Sequence, residues 1–417
     1  SQEYFYNTDK MYPGKNINNI AGAFKISGDF SKENFINAIN LLVKKHEVLR
    51  TIIVEKDNKL YQQVGETELY SIKYKDISEL DDLERNSYIE KLKTNICSKP
   101  FNLLAEGTSR FFLAKILPNE YVFLYAVHHT AMDGWSLGIL MNELTELYSN
   151  KSIQDFSADP SALTYNDFAI YQHKLVENGH LSSQQDYWLK SSVNSVNKSG
   201  FPFPKNIPVK TETITGIIPS RQLKEIMNVC RRNDISLFMF MLTAFSEVIK
   251  EYKQTPEIAV GTYVSGREYS EFESVVGCFV NLLAFNIPAF DVVSISEKLN
   301  TVKNICINGF NNQSFPYCRL SKMDTSSDNA IMNIPEFMFV MRNTAGNDFN
   351  LPNVNIVQLP IDHIDSPYPL QCSIYNEGDA IGAAFTYQAS CFDAASMQKL
   401  LDNFNRKVLS FIREFGL

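Results

Sequence analysis

The chain has 417 residues, 44% of them hydrophobic and 21% charged, with 39 Lys and Arg against 47 Asp and Glu, a formal charge of −8. At about 150 residues per domain this length predicts two or three domains, and the apolar share is that of a globular protein, not a disordered one. The acidic surplus argues against nucleic acid as a partner, because phosphates call for a basic excess.

The longest apolar runs are Val122 to Val127 and Leu237 to Phe245, the latter interrupted by Thr243. Both fall short of the roughly 20 residues that span a bilayer, so no membrane partner is expected. Ser1-Gln2-Glu3-Tyr4 lacks the basic region and apolar block of a signal peptide. A start without Met reads as an excised chain. Seven scattered cysteines with no CxxC predict a reduced, cytoplasmic protein without a disulfide framework or a zinc ribbon.

In chain order, Ala23 to Ile26 reads as a strand. A helix follows from Phe30-Ser31 to about Glu47, with Ser31 as N-cap and Phe35, Ala38, Ile39, Leu42 and Val43 at helical spacing. Thr51 to Val54 and Leu60 to Val64 predict two strands around Lys56-Asp57-Asn58. A charged helix is predicted near residues 78 to 97. Strands at Arg110 to Ile116 and Tyr121 to Val127 come next, the second apolar on both faces like a central strand. It runs into His128-His129-Thr130-Ala131-Met132-Asp133-Gly134, and a helix starts at about Trp135 with Leu137, Leu140, Met141, Leu144 and Leu147 as its stripe.

A helical tract is predicted from Asn166 to Lys190. Residues 191–210, rich in Ser, Asn, Lys and Pro, read as a linker. Beyond it the order repeats: a helix from Ser236 to Tyr252, strands at Ile258 to Val264, Cys278 to Ile287, Phe337 to Met341 and Ala380 to Gln388, and a last helix from Ala394 to Phe415. The predicted class is α/β, with mixed sheets and helices in two halves, residues 1–175 and 176–417.

The polar cluster carries the chemistry. Neighbouring side chains on a strand point to opposite faces, so one of His128 and His129 faces inward and the other a cleft. An imidazole near neutral pKa is suited to accept or position a proton. Gly134 leaves a backbone that substrate can approach closely, and the following helix aims its positive end at a developing oxyanion. The bland reading stands beside this one: two satisfied core histidines and a capping Asp133. A zinc site from His128, His129 and Asp133 is disfavoured, because adjacent strand histidines diverge, so no metal is expected. There is no GxSxG, P-loop or GxGxxG. His-based acyl transfer without a protein nucleophile is therefore the leading chemistry.

His128 to Ser136 resembles the HHxxxDGxS signature of condensation domains from nonribosomal peptide synthetases, in the chloramphenicol-acetyltransferase-like superfamily. Lys45-His46-Glu47-Val48-Leu49-Arg50-Thr51 is similar to RHExLRT, with Lys45 for Arg. Tyr165 to Gln172 is similar to YxDYAxWQ, with Tyr171 for Trp. Gly261 to Arg267 matches G-x-x-x-x-G-R, and Val276 to Asn281 matches (I/V)GxFVN. Two segments depart: RDxSRNPLFQ is reduced to Ile331 to Phe337, and HQDxPFE to Asn312 to Pro316. They bear on the donor or acceptor class, not on the fold.

The resemblance implies two chloramphenicol-acetyltransferase-like subdomains in a V-shaped pseudodimer, with the site in a tunnel between them. Donor and acceptor peptidyl carrier proteins would bring phosphopantetheine-bound thioesters, next to an adenylation domain encoded elsewhere. The domain itself would bind no cofactor and is expected to be a monomer when excised. It assigns catalysis to His129, as base or as positioning group, and a structural place to His128. Asp133 is expected to pair with Arg267, in a loop of the other half, with Arg50 as the runner-up. Trp135, Ser136, Ser265 and Gly266 are expected along the substrate channel. Tyr165, Asp167, His46 and Arg50 are expected to be structural, the last two holding a helix to the sheet, and Cys278 a small buried residue.

Competing readings fail on particular residues. An epimerisation domain continues differently after the Asp, a heterocyclisation domain replaces the histidines by Asp, and a plant-type alcohol acyltransferase needs a DFGWG-like motif. A silent docking module usually loses the second His, which is intact here. A free-standing acyltransferase of the same superfamily and a non-catalytic carrier-docking module remain the alternatives.

Overall fold

A computed structural model describes residues 1–57, 59–149, 162–192, 210–288, 290, 294–320, 335–342, 349–361 and 365–416. Most of the expected linker, 193–209, and residues 331–334 of the reduced RDxSRNPLFQ-like segment lie outside the described residues.

The elements, in chain order, begin with α1 (Gln2–Met11), β1 (Asn19–Gly28), α2 (Lys32–Lys45), β2 (Thr51–Lys56), β3 (Lys59–Val64), β4 (Lys73–Asp76), α3 (Asp82–Lys93), β5 (Ser109–Leu117), β6 (Glu120–His128), α4 (Gly134–Ser149) and α5 (Tyr165–Glu177). They continue with α6 (Ser182–Ser192), β7 (Thr211–Ile218), α7 (Ser220–Arg232), α8 (Leu237–Lys253), β8 (Ile258–Val264), β9 (Asn281–Ile287), α9 (Ile295–Asn311), β10 (Phe337–Arg342), β11 (Val354–Gln358), β12 (Leu370–Glu377), β13 (Ala380–Gln388) and α10 (Ala394–Glu414). Among the described residues no helix is long and apolar enough to cross a membrane.

The chain forms two compact units. The first comprises Ser1–Lys174, Arg267–Phe279 and Thr344–Asp365; the second comprises Leu175–Gly266, Val280–Asn343 and Ser366–Leu417. A single cut at 175/176 would give the two later segments to the second half. They pack with the first because β11 adds an edge strand to β1, pairing Phe24 with Gln358 through Gly28 with Val354, and because Arg267–Phe279 is held by groups of α4.

The first unit is built on a five-stranded mixed sheet, order β11-β1-β6-β5-β4, antiparallel except for β4 with β5. Its middle strand, β6, is buried along nearly its whole length, which explains its unbroken apolar run. Alternation sorts its side chains. Val122 and Leu124 join the core under α3, while Phe123, Tyr125 and Val127 line an apolar crevice against Leu42 of α2 and Leu140 and Leu144 of α4. α2 starts where expected, its Ser31 hydroxyl accepting the Asn34 amide. The charged helix is shorter than predicted: Asp81 caps α3, and a π turn at Thr94–Ser98 ends it.

The second unit carries a six-stranded mixed sheet, order β7-β13-β12-β10-β8-β9, with β10 parallel to both neighbours. From Met239 to Lys250 every residue of α8 is buried, the mark of a helix packed on all sides. The helical tract predicted from 166 to 190 is two helices, because Gly179 sits at φ +73° and closes α5.

Candidate active site

The end of β6 turns sharply into α4. The His129 amide bonds the Asn18 carbonyl at 2.8 Å and the Ala131 amide bonds the His128 carbonyl at 2.9 Å, which folds the turn back on itself. Asp133 then caps α4, its Oδ1 accepting the Ser136 amide at 2.8 Å. The bland reading of Asp133 as a cap is therefore correct, but incomplete. The same bond occupies the Ser136 amide, so that N–H is not free for an oxyanion.

The two histidines diverge as strand geometry requires. His128 is 1% exposed. Its Nδ1 accepts the Thr130 amide at 3.1 Å, and lies 2.9 Å from the Thr130 hydroxyl. Its Nε2 lies 2.8 Å from the Asp9 carboxylate, outside hydrogen-bond geometry. Both nitrogens of His128 are thus committed to the fold. His129 is partly exposed, with its ring stacked on Phe5 of α1 at a centroid distance of 3.9 Å and 9° between planes. Its Nδ1 is buried without a hydrogen-bond partner. Burial pushes the imidazole pKa down to about 4, against the opposing pull of Asp133, so the ring is neutral near pH 7.

Asp133 is 0% exposed and its carboxylate sits in a polar knot. Its Oδ2 accepts the Phe279 amide at 3.0 Å, and its Oδ1 lies 3.5 Å from Arg267 Nη2. The same Nη2 donates to Ser136 Oγ at 2.8 Å, and Ser136 Oγ exchanges bonds of 3.0 and 2.8 Å with the Gly277 amide and carbonyl. Arg267 Nη1 donates to the Phe272 and Val275 carbonyls, and the guanidinium sits over the Phe279 ring at 4.0 Å. Arg50, the runner-up for Asp133, is spent on the carbonyls of Val43 and Gly65.

Two expectations change. Arg267 does not join the halves: Arg267–Phe279 belongs to the same unit as Asp133. Ser136 was expected along the substrate channel and is instead fully buried as the centre of the knot. Trp135 is 54% exposed, with its indole N–H on the Glu273 carbonyl at 3.0 Å. Ser265 is exposed and Gly266 has φ +65°, both in the second unit. Gly134 is exposed, and a Cβ there would meet nothing within 4 Å.

The other motif residues are structural. Gly277 is required because a Cβ would lie 2.0 Å from the Tyr165 ring, whose hydroxyl donates to the Cys278 carbonyl at 2.8 Å. Asp167 accepts the Thr164 amide and hydroxyl at 2.7 and 2.8 Å, capping α5. His46 and Lys45 grip Glu143 at 2.6 and 2.7 Å, tying α2 to α4 rather than to the sheet. Cys278 is buried.

The second unit carries a twin of this corner, 260 positions on, at the end of β13. The Ala389 amide bonds the Lys210 carbonyl, Cys391 bonds the Gln388 carbonyl, and Asp393 Oδ1 accepts the Ser396 amide at 2.8 Å. Asp and Ser recur at the same spacing, but Gln388 and Ala389 stand where the first unit has His128 and His129. Asp393 is exposed, while Asp133 is buried. The corner folds without histidine. The sequence held this signal in Asp-x-x-Ser at 133–136 and 393–396. α1, which supplies Phe5 and Asp9, was missed.

A family model described as Condensation domain matches residues 1–415. Bacitracin synthase 3 of Bacillus licheniformis is 27% identical over 407 residues, 96% of this chain and 6% of that protein. Among solved structures, the X-domain from teicoplanin biosynthesis superposes with a TM-score of 0.85 at 15% identity, over 99% of this chain and 93% of that one. The starter condensation domain of rhizomide synthetase superposes at 0.78 with 16% identity, over 99% and 93%. The chain spans less than a tenth of the length of the curated relatives it matches.

Proposed function

The chain belongs to the condensation-domain family, and from that premise we propose that it joins two carrier-bound substrates through an amide bond. The amine of an aminoacyl acceptor attacks the carbonyl of an acyl or peptidyl thioester. A C–N bond forms, the C–S bond breaks, and the proton lost by nitrogen ends on the departing thiol. His129 carries this reading, because it is the histidine whose ring is not committed to the fold, at a corner whose twin has alanine.

A group held near pKa 4 takes up little proton at pH 7. That favours the second of the two roles for His129: a neutral imidazole that accepts a hydrogen bond from the attacking amine and orients it. Asp133, Ser136 and Arg267 support the corner from behind. The open space at Gly134 is room for substrate. Gly134→Ala is accordingly expected to fold with a melting temperature near that of the wild type, because the new methyl meets no protein atom. Its kcat/KM is expected to fall about tenfold or more as the methyl displaces the reacting groups. An unchanged rate in single-turnover assays would show that substrate does not approach this backbone.

The substrates are proposed to arrive on the phosphopantetheine of donor and acceptor carrier proteins, with an adenylation domain adjacent, in an assembly far longer than this chain. Docking contacts remote from the reaction then help to orient the amine. The test offers one acyl group on a carrier protein, on coenzyme A and on a short pantetheine mimic. The carrier-bound thioester is expected to be preferred by at least about tenfold in kcat/KM. If coenzyme A matched it, the chain would act as a free-standing acyltransferase.

A further inference from the structure

We propose that Phe5 is a positioning residue for His129, and that α1 serves as a clamp holding the imidazole flat against it; this rests on His129 acting in the reaction. The juxtaposition is specific. The rings lie 3.9 Å apart and 9° from parallel, closer to face-on contact than aromatic pairs usually adopt. Phe5 is buried, so its face is fixed by the fold.

Three further contacts fasten the helix to the same corner. Gln2 Nε2 donates to the Thr130 carbonyl at 2.8 Å. The Asp9 carboxylate meets His128 Nε2 at 2.8 Å. Asn18, whose own carbonyl receives the His129 amide, sends its side-chain amide to the Phe5 carbonyl, the Thr8 hydroxyl and the Asp9 carboxylate at 2.9, 3.0 and 2.6 Å. The helix is thus tied to the residue before His129, to the residue after it and to Asn18, which holds the His129 amide.

The clamp does two things. The backbone carbonyls of His129 and Met132 pull on the imidazole, but its Nδ1 meets no partner in full hydrogen-bond geometry, so packing helps to set the ring orientation, and Phe5 supplies the plane. Phe5 also keeps water off one face, which contributes to the burial that lowers the imidazole pKa. The titratable groups facing His129 are Asp133 and His128. Asp9, the charge on α1 next to them, is turned to His128.

The experiment compares Phe5→Ala and Phe5→Leu with the wild type in the full chain. Phe5→Leu keeps apolar volume without a flat face, and serves if Phe5→Ala fails to fold. Two readouts are taken: single-turnover kcat and KM with carrier-bound substrates, and the His129 imidazole titration by NMR on histidine-labelled protein, assigned with His129→Gln. The proposal expects kcat to fall about 10- to 100-fold in either variant with KM nearly unchanged. It also expects the titration in Phe5→Ala to move from about 4 toward the ordinary 6.5. Folded variants with wild-type kcat and an unmoved titration overturn it. The NMR arm needs no reaction. A moved titration in a chain whose wild type forms no amide upholds the clamp and overturns the activity.

Discussion

Alanine at His129 is expected to abolish amide formation between two loaded carrier proteins while leaving the fold intact. Removal of a positioned acid–base or orienting group costs about 10²–10⁴-fold, so product in a single turnover should fall to the limit of detection. The fold survives for a reason visible in the molecule itself: Ala389 occupies the equivalent place in the second unit, with the same backbone bonds around it. The Nδ1 atom also makes no bond that the fold would miss. The check is product analysis beside circular dichroism and melting curves. A near wild-type rate would remove His129 from the reaction.

Asp133→Asn and Arg267→Ala are expected to act through stability instead. Both side chains are buried, at 0% and 2% exposure. Removing one member of such a pair leaves the other charge uncompensated, at about 3–5 kcal/mol, which is roughly 10 °C in the melting of a unit of this size. Arg267→Ala also strips the donors from the Phe272 and Val275 carbonyls and from Ser136, so it is expected to be the worse of the two. Because the residues share one network, the losses in the double variant should fall short of their sum. Strict additivity in thermal melts would mean that Ser136, and not Asp133, is the functional partner of Arg267.

The corner was legible because its information is local. A strand apolar on both faces, a His pair and a capping Asp followed by a helical stripe are all read within thirty residues. Arg267 was legible only through the motif around it, since nothing in a linear reading places residue 267 beside residue 133. The unit to which Arg267 belongs was misread for the same reason. Some misses had a signal. Leu223, Ile226, Val229 and Cys230 repeat at helical spacing in α7, and Ser294 with Glu297 forms the capping box that opens α9.

Others had little. β4 is four exposed residues, Lys73–Asp76, and β11 shows no buried position. Such strands are defined by the partner they find. α1 is the costliest miss. Gln2–Met11 is polar on average and has no side-chain cap, and its meaning lies in contacts with a turn more than a hundred positions away.

The strand order of the first unit also sets a schedule. β1 spans residues 19–28, but the edge strand that covers it, β11, follows more than 300 residues later. Arg267 comes 134 residues after Asp133. At a synthesis rate of about 5–20 residues per second, a nascent chain holds the Asp133 carboxylate without its guanidinium for about 7 to 27 seconds, and β1 with a bare edge for longer still. An N-terminal piece ending near residue 174 lacks both partners permanently. The corner at residues 128–136 thus waits for partners that follow it by more than a hundred residues before its own unit is complete. Contacts of such long sequence separation slow folding, and the waiting strand edge is the surface on which a newly made chain is most exposed to wrong pairing.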